Sequence, residues 1–207
     1  MTGSNLLQLI DSILSETGAR LSTLGFALFA TPIGHCGLAW GERGLTGVQL
    51  PEADEAGTRK RMQLRFPDCP ESVPPPAVQE SIRDVVALLR GQPNFPEDLS
   101  NIVLDMEDVP PFRRRVYELA RAIPPGTTLT YGELARRMGE PQSAQAVGQA
   151  LGNNPFAPVV PCHRVLAAGA RAGGFSASGG VVTKLRMLQI ERASFDGPGL
   201  FDDHGAP

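Results

Sequence analysis

The spacing of apolar residues changes several times along this 207-residue chain. Between Asn5 and Ser15, Leu6, Leu7, Ile10, Ile13 and Leu14 recur at helical intervals. Gly25–Thr31, Cys36–Trp40 and Leu45–Leu50 are short apolar runs between Gly and Pro turns, and they predict strands. The five prolines from Pro67 to Pro76 predict an extended surface loop. Val78–Leu89 returns to a helical period, and Ile102–Asp105 suggests one more strand. Val116, Leu119 and Ala120 then predict a helix that starts near Pro111 and stops before Pro124-Pro125. No internal repeat is present.

The stretch from Thr130 to Gly152 is more fully specified. Thr130-Tyr131-Gly132-Glu133 has the form of a capping box, with Leu129 and Leu134 placed as its hydrophobic staple, so a helix is predicted from Tyr131 to near Gly139. After the short turn Glu140-Pro141-Gln142, Ser143 can cap a second helix and Gly152 can end it in a left-handed conformation. Such a pair is a helix-turn-helix, although small α-domains contain helix pairs of other kinds. On the second helix Val147, Ala150 and Leu151 form the packing stripe. Gln145, Gly148, Gln149 and Gly152 are left on the outer face, where small residues and amides suit close approach to a nucleic-acid groove.

Charge divides the chain in a way its net −3 conceals. Residues 1–109 carry 8 basic and 15 acidic side chains, whereas 110–195 carry 11 and 4. The basic second half is suited to a polyanion. Arg113, Arg114 and Arg115 are candidates for phosphate contact, of which at most two can face one partner, or else ordinary solvated charge. The three cysteines, Cys36, Cys69 and Cys162, form no close-spaced set, which argues against a disulfide framework or a four-ligand zinc site and fits a reducing cytoplasm. Met1–Gly18 has no basic residue, unlike a secretory signal, and no apolar run approaches the roughly 18 residues that span a bilayer.

Candidate chemistry concentrates at Pro161-Cys162-His163-Arg164, behind the strand-like run Pro158-Val159-Val160. Free cysteine often simply packs; an imidazole next to it supplies what a nucleophilic thiol needs, a group to take its proton. Adjacent side chains on an extended chain point to opposite faces, so a water is expected to relay the proton. Thr183–Arg192 predicts an amphipathic helix whose apolar side, Met187, Leu188 and Ile190, also carries Glu191. A carboxylate there needs a partner, and His163 needs an orienting group. Asn154, before Pro155, is placed to fix the turn that joins the second helix to Cys162. Gly173-Gly174-Phe175-Ser176 predicts the wall or lid of a small pocket.

With these residues together, the chain closely resembles the O6-alkylguanine-DNA alkyltransferases, the methylated-DNA-protein-cysteine methyltransferases, over roughly residues 110–193. The resemblance implies an α+β protein: a small ribonuclease-H-like α/β domain over 1–109, then a mostly helical alkyltransferase domain with a helix-turn-helix over 110–195, and a disordered tail over 196–207. It implies a cytoplasmic monomer, with no cofactor, metal or membrane, that binds alkylated DNA in the minor groove and flips the damaged guanine out. Cys162 would take the alkyl group from O6-alkylguanine, with O4-alkylthymine as a second candidate, irreversibly, while His163, Glu191 and a water accept its proton. Asn154 and Tyr131 would complete the catalytic set, with Tyr131 also turning the nucleotide out. Ser176 would donate toward O6, Phe175 would line the alkyl pocket, and the carbonyls of Cys162 and Val165 would recognise the exocyclic amine. Gln145, Gly148, Gln149, Gly152 and Arg164 would contact DNA. Gln145 stands where the family usually has an intercalating arginine, which points to slower repair of duplex than of single strands. A lesion-binding protein that does not repair and a Cys-His-Glu hydrolase are the other readings.

Overall fold

A computed structural model describes residues 24–91, 99–169 and 173–193. The helix expected over Asn5–Ser15 and the tail over 196–207 lie outside the described residues. The first three strands follow the sequence pattern closely: β1 (Gly25–Thr31), β2 (Gly34–Gly41) and β3 (Gly44–Gln49) form an antiparallel meander in that order. Its side chains alternate between faces. Phe26 and Ala39 pack with Met62 and Cys69 on one side, while Leu38, Trp40 and Val48 join a larger core on the other.

Helix α1 (Glu55–Arg65) had no visible apolar stripe, because only Thr58 and Met62 are buried. Asp54 caps it, accepting from the Gly57 N–H at 2.7 Å. The proline-rich loop leads into α2 (Pro76–Arg90), which begins two residues earlier than its apolar period because Pro76 is tolerated in a first turn. The strand expected over Ile102–Asp105 is reduced to an isolated bridge: Leu45 N–H donates to Val103 O at 2.9 Å and Asp105 N–H to Leu45 O at 2.8 Å.

Among the described residues four more α-helices follow: α3 (Pro111–Arg121), α4 (Tyr131–Arg137), α5 (Ala144–Gly152) and α6 (Gly180–Ile190). A two-residue parallel pair, β4 (Leu129–Thr130) with β5 (Val165–Leu166), brings the start of α4 beside the end of the Cys162 turn. The larger core runs continuously from the sheet through α2 to Val116, Leu134, Val147 and Leu151. Of the three consecutive arginines, Arg114 donates to the carbonyls of Met106 and Glu107, and Arg115 binds Glu140 and the Met138 carbonyl. These two brace loops rather than forming a phosphate cluster. Among the described residues, no helix is long and apolar enough to cross a membrane.

Strand β3 also touches the loop that leads to Cys162. Val48 N–H donates to the Pro155 carbonyl at 2.8 Å, and Arg65 spans Val48 O at 3.0 Å and Gln49 Oε1 at 2.7 Å. The approach is close enough at Gly47 that a side chain there would force its neighbours to shift. A Cβ there would overlap the Phe66 ring and stand 3.3 Å from the Pro155 oxygen.

Candidate active site

The helix pair forms as its caps predict at one end and differently at the other. Thr130 Oγ1 accepts from Glu133 N–H at 3.2 Å and Glu133 Oε2 accepts from Thr130 N–H at 2.6 Å, so the capping box is complete. Ser143, however, does not cap α5. A 3₁₀ turn over Pro141–Ser143 brings its hydroxyl back onto the Glu140 carbonyl at 2.7 Å. Nor does Gly152 adopt a left-handed conformation; it remains the last helical residue, and Asn153 ends the helix with φ −101°. Gln145, Gln149 and Gly152 are exposed on the outer face of α5, with Gly148 half-buried opposite the Tyr131 ring.

That face bounds a cavity of about 530 Å³, completed by Tyr131 on one side and Gly174, Phe175 and Ser176 on the other. Cys162, 8% exposed, opens into it. The run before Cys162 is not the strand the sequence suggested. Residues 155–160 turn, with a cis Ala157–Pro158 peptide, and Cys162–Arg164 form one 3₁₀ turn. Asn154 holds this shape: its Nδ2 donates to Val160 O at 2.8 Å, and its Oδ1 accepts from Phe156 N–H at 3.0 Å.

Behind Cys162, His163 is fully buried and its Nε2 lies 2.9 Å from Glu191 Oε1. Among the described residues, its buried Nδ1 has no hydrogen-bond partner. Burial pulls the imidazole pKa below its ordinary value, against the opposing pull of the carboxylate. Glu191 caps the C-terminus of α6, where Arg192 takes a left-handed φ of 56° and the Arg192 and Ala193 N–H groups close onto Gln189 and Leu188. This closure fixes the direction in which Glu191 leaves the helix. Burial pushes its carboxyl pKa up, but His163 and Arg164 outweigh burial and bring it to about 2.

Arg164 corrects the sequence reading. It is 3% exposed and meets Glu191 through Nε at 2.9 Å and Nη2 at 2.8 Å, with Nη1 on the Ile123 carbonyl. A guanidinium closed in this way is not available to DNA; it neutralises the carboxylate that holds the imidazole. Val165 is also fully buried, and its carbonyl accepts from Lys184 Nζ at 2.7 Å, so one lone pair remains for any further donor.

Lys184 is the residue that sequence reasoning missed. It sits on the buried side of α6, 5.9 Å from the Tyr131 ring centroid, and burial lowers its pKa to about 8. The signal was available: Lys184, Met187 and Leu188 share the i, i+3, i+4 stripe, and a lysine on such a stripe needs a partner. The Cys162 thiol is pushed above its ordinary value by burial, opposed by a hydrogen bond from Asn154, the Lys184 charge and the N–H groups of Cys162 and His163.

Residues 111–193 match the family model described as 6-O-methylguanine DNA methyltransferase, DNA binding domain. The similarity extends well beyond that segment. The chain is 38% identical over 168 residues to the methylated-DNA–protein-cysteine methyltransferase of Methanothermobacter thermautotrophicus, covering 80% of this chain and 84% of that protein. The chain belongs to the methylated-DNA–protein-cysteine methyltransferase family. A second relative, the bifunctional transcriptional activator/DNA repair enzyme Ada of Escherichia coli, is 31% identical over 174 residues, 84% of this chain and 47% of Ada. The methyltransferase fold is seen again in Mycobacterium tuberculosis OGT in complex with DNA, with TM-score 0.63 and 30% identity over 81% of this chain and 92% of that one.

Proposed function

We propose that this chain repairs DNA by taking the alkyl group of O6-alkylguanine onto Cys162 in one irreversible step. The observation that carries the reading is the arrangement around that thiol: an open cavity faced by α5 on one side, and a buried His163–Glu191 pair on the other. The family's activity, direct alkyl transfer from DNA to protein, needs both.

Residues 1–109 serve as scaffold and 110–195 as the unit that meets DNA. Helix α5 enters the minor groove of alkylated DNA, and the damaged guanine turns out of the stack past Tyr131 into the cavity. Flipping is needed because stacking hides the alkyl group. With Glu191 ionised, His163 Nε2 carries the hydrogen and donates to it, leaving Nδ1 as an acceptor. A water between Nδ1 and the sulfur carries the proton away, and the Glu191 carboxylate stabilises the imidazolium that results. The Asn154 amide, the Lys184 cation and two N–H groups of the turn then hold the thiolate.

The sulfur attacks the alkyl carbon, the carbon–O6 bond breaks, and its electron pair stays on the guanine. Tyr131 and Ser176 donate to the departing base, which ends with the proton the thiol began with. Phe175 bounds the alkyl group. A thioether has no easy return to thiol, so each monomer acts once.

Intact-mass measurement after mixing with an O6-methylguanine oligonucleotide tests the reading. One added methyl per chain, mapped to Cys162 and absent from Cys162→Ser, is expected. Tight binding with no mass gain would replace repair with lesion recognition alone.

A further inference from the structure

A second cleft, of about 370 Å³, reaches the same thiol from the scaffold side. It shares Cys162, Phe175 and Ser176 with the larger cavity, so the two meet at the reacting group. Their chemistry differs. The far wall of the second cleft is supplied by α1, which presents Arg61 and Arg65 one helical turn apart, with Glu52 beside them. Glu52 Oε1 already accepts from Gln49 Nε2 at 3.0 Å. Arg65 is anchored on Val48 O and Gln49 Oε1, and burial followed by the Arg61 charge lowers its pKa. Arg61 is exposed and has no ion pair or hydrogen bond among the described residues. The cleft therefore leads from the sulfur to two guanidiniums opposed by one carboxylate.

In an in-line displacement the sulfur approaches the alkyl carbon opposite O6, so any chain on that carbon leaves sideways from the sulfur–carbon–oxygen axis. The neighbouring cleft, which Cys162 also lines, is a space open to it on that side. Resting on the dealkylation proposed above, we propose that this cleft is a subsite for O6 adducts ending in a carboxylate, with Arg61 as the specificity-determining cation and Arg65 as the fixed wall. For O6-carboxymethylguanine, Cys162 sulfur bonds the methylene carbon and the methylene–O6 bond breaks. Guanine keeps the electron pair and gains the thiol's proton, and the carboxylate stays on the protein in the cleft that Arg61 lines.

The test compares single-turnover rates for O6-carboxymethylguanine and its uncharged isostere O6-carbamoylmethylguanine in one single-stranded oligonucleotide, with O6-methylguanine as reference. Taking the ratio of the two rates within each protein, and then comparing proteins, cancels the intrinsic reactivity of the adducts. Arg61→Gln is expected to lower the carboxymethyl-to-carbamoylmethyl ratio roughly three- to fivefold, the range of a partly exposed ion pair. Arg61→Glu is expected to lower it further, Arg61→Lys to keep most of it, and added salt to shrink the wild-type advantage. An unchanged ratio in Arg61→Gln and Arg61→Glu would overturn the subsite. Equal slowing of all three substrates would also overturn it, placing Arg61 against the DNA backbone instead. Failure of the wild type to take even a methyl group would overturn dealkylation itself, and the subsite with it.

Discussion

Glu191 shows how much of the site depends on one side chain. Its two oxygens hold His163 and Arg164, all three buried, so charge and geometry are coupled. Replacing it by Gln keeps the size but leaves the Arg164 cation buried without its counter-ion. Loss of one partner from a buried pair costs about 3–5 kcal/mol. Denaturant unfolding of Glu191→Gln should register a loss of that order, and methyl transfer should slow because the imidazolium is no longer stabilised. The pH dependence has a definite sign. The folded carboxyl titrates at about 2 against an ordinary 4.5, so its stabilising contribution is complete above the unfolded value and disappears as pH falls from 4.5 toward 2. Acid unfolding of wild type should show this component and Glu191→Gln should lack it; superimposable acid curves would refute the coupling. Cys162, His163 and Glu191 were legible from residue type and helix face. Lys184 could have been found on its apolar stripe, but Arg164 could not, since whether that cation faces solvent or a buried carboxylate is decided by tertiary packing.

At the scale of elements, legibility followed local encoding. The capping box at Thr130 is closed by residues three apart, and it formed as its sequence states. The end of α5 depends on packing instead: Tyr117 Oη donates to the carbonyls of Ala150 and Asn153, 33 and 36 residues away, holding the last turn helical past the point where glycine could have stopped it. The loop over 155–160 was misread because β-branched residues next to prolines look like a strand when the Asn154 bonds that fold them are unseen. The exposed face of α5 carries the functional prediction here. Gln145 can hydrogen-bond an orphaned base but lacks the charge and the stacking plane of guanidinium. Gln145→Arg should therefore raise the repair rate of O6-methylguanine in duplex DNA more than in single strands. Rates that rise equally, or no gain on duplex, would show that unstacking does not limit this protein.

Across the whole molecule, the halves differ in charge yet share one core; Arg121 and Arg186 reach back to the carbonyls of Ile102 and Pro32, and one further polar tie runs from β3 to the loop that shapes Cys162. Gly47 sits at that tie. Gly47→Ala should cost about 1–3 kcal/mol through overlap with Phe66, and should also slow alkyl transfer by shifting Pro155. A stability loss with an unaltered rate would mean that the loop is held by the second half alone. The three strands could be read from alternation, but α1, which supplies Arg65 to the tie, could not, because a helix burying one narrow ridge leaves little periodic trace. The position of Trp40, the chain's single tryptophan, inside the core of the sheet has a practical use. Both tyrosines, Tyr117 and Tyr131, belong to the other half, so indole emission watches the scaffold while phenol absorbance watches the reading head, and melting of the two can be followed separately in one unlabelled sample.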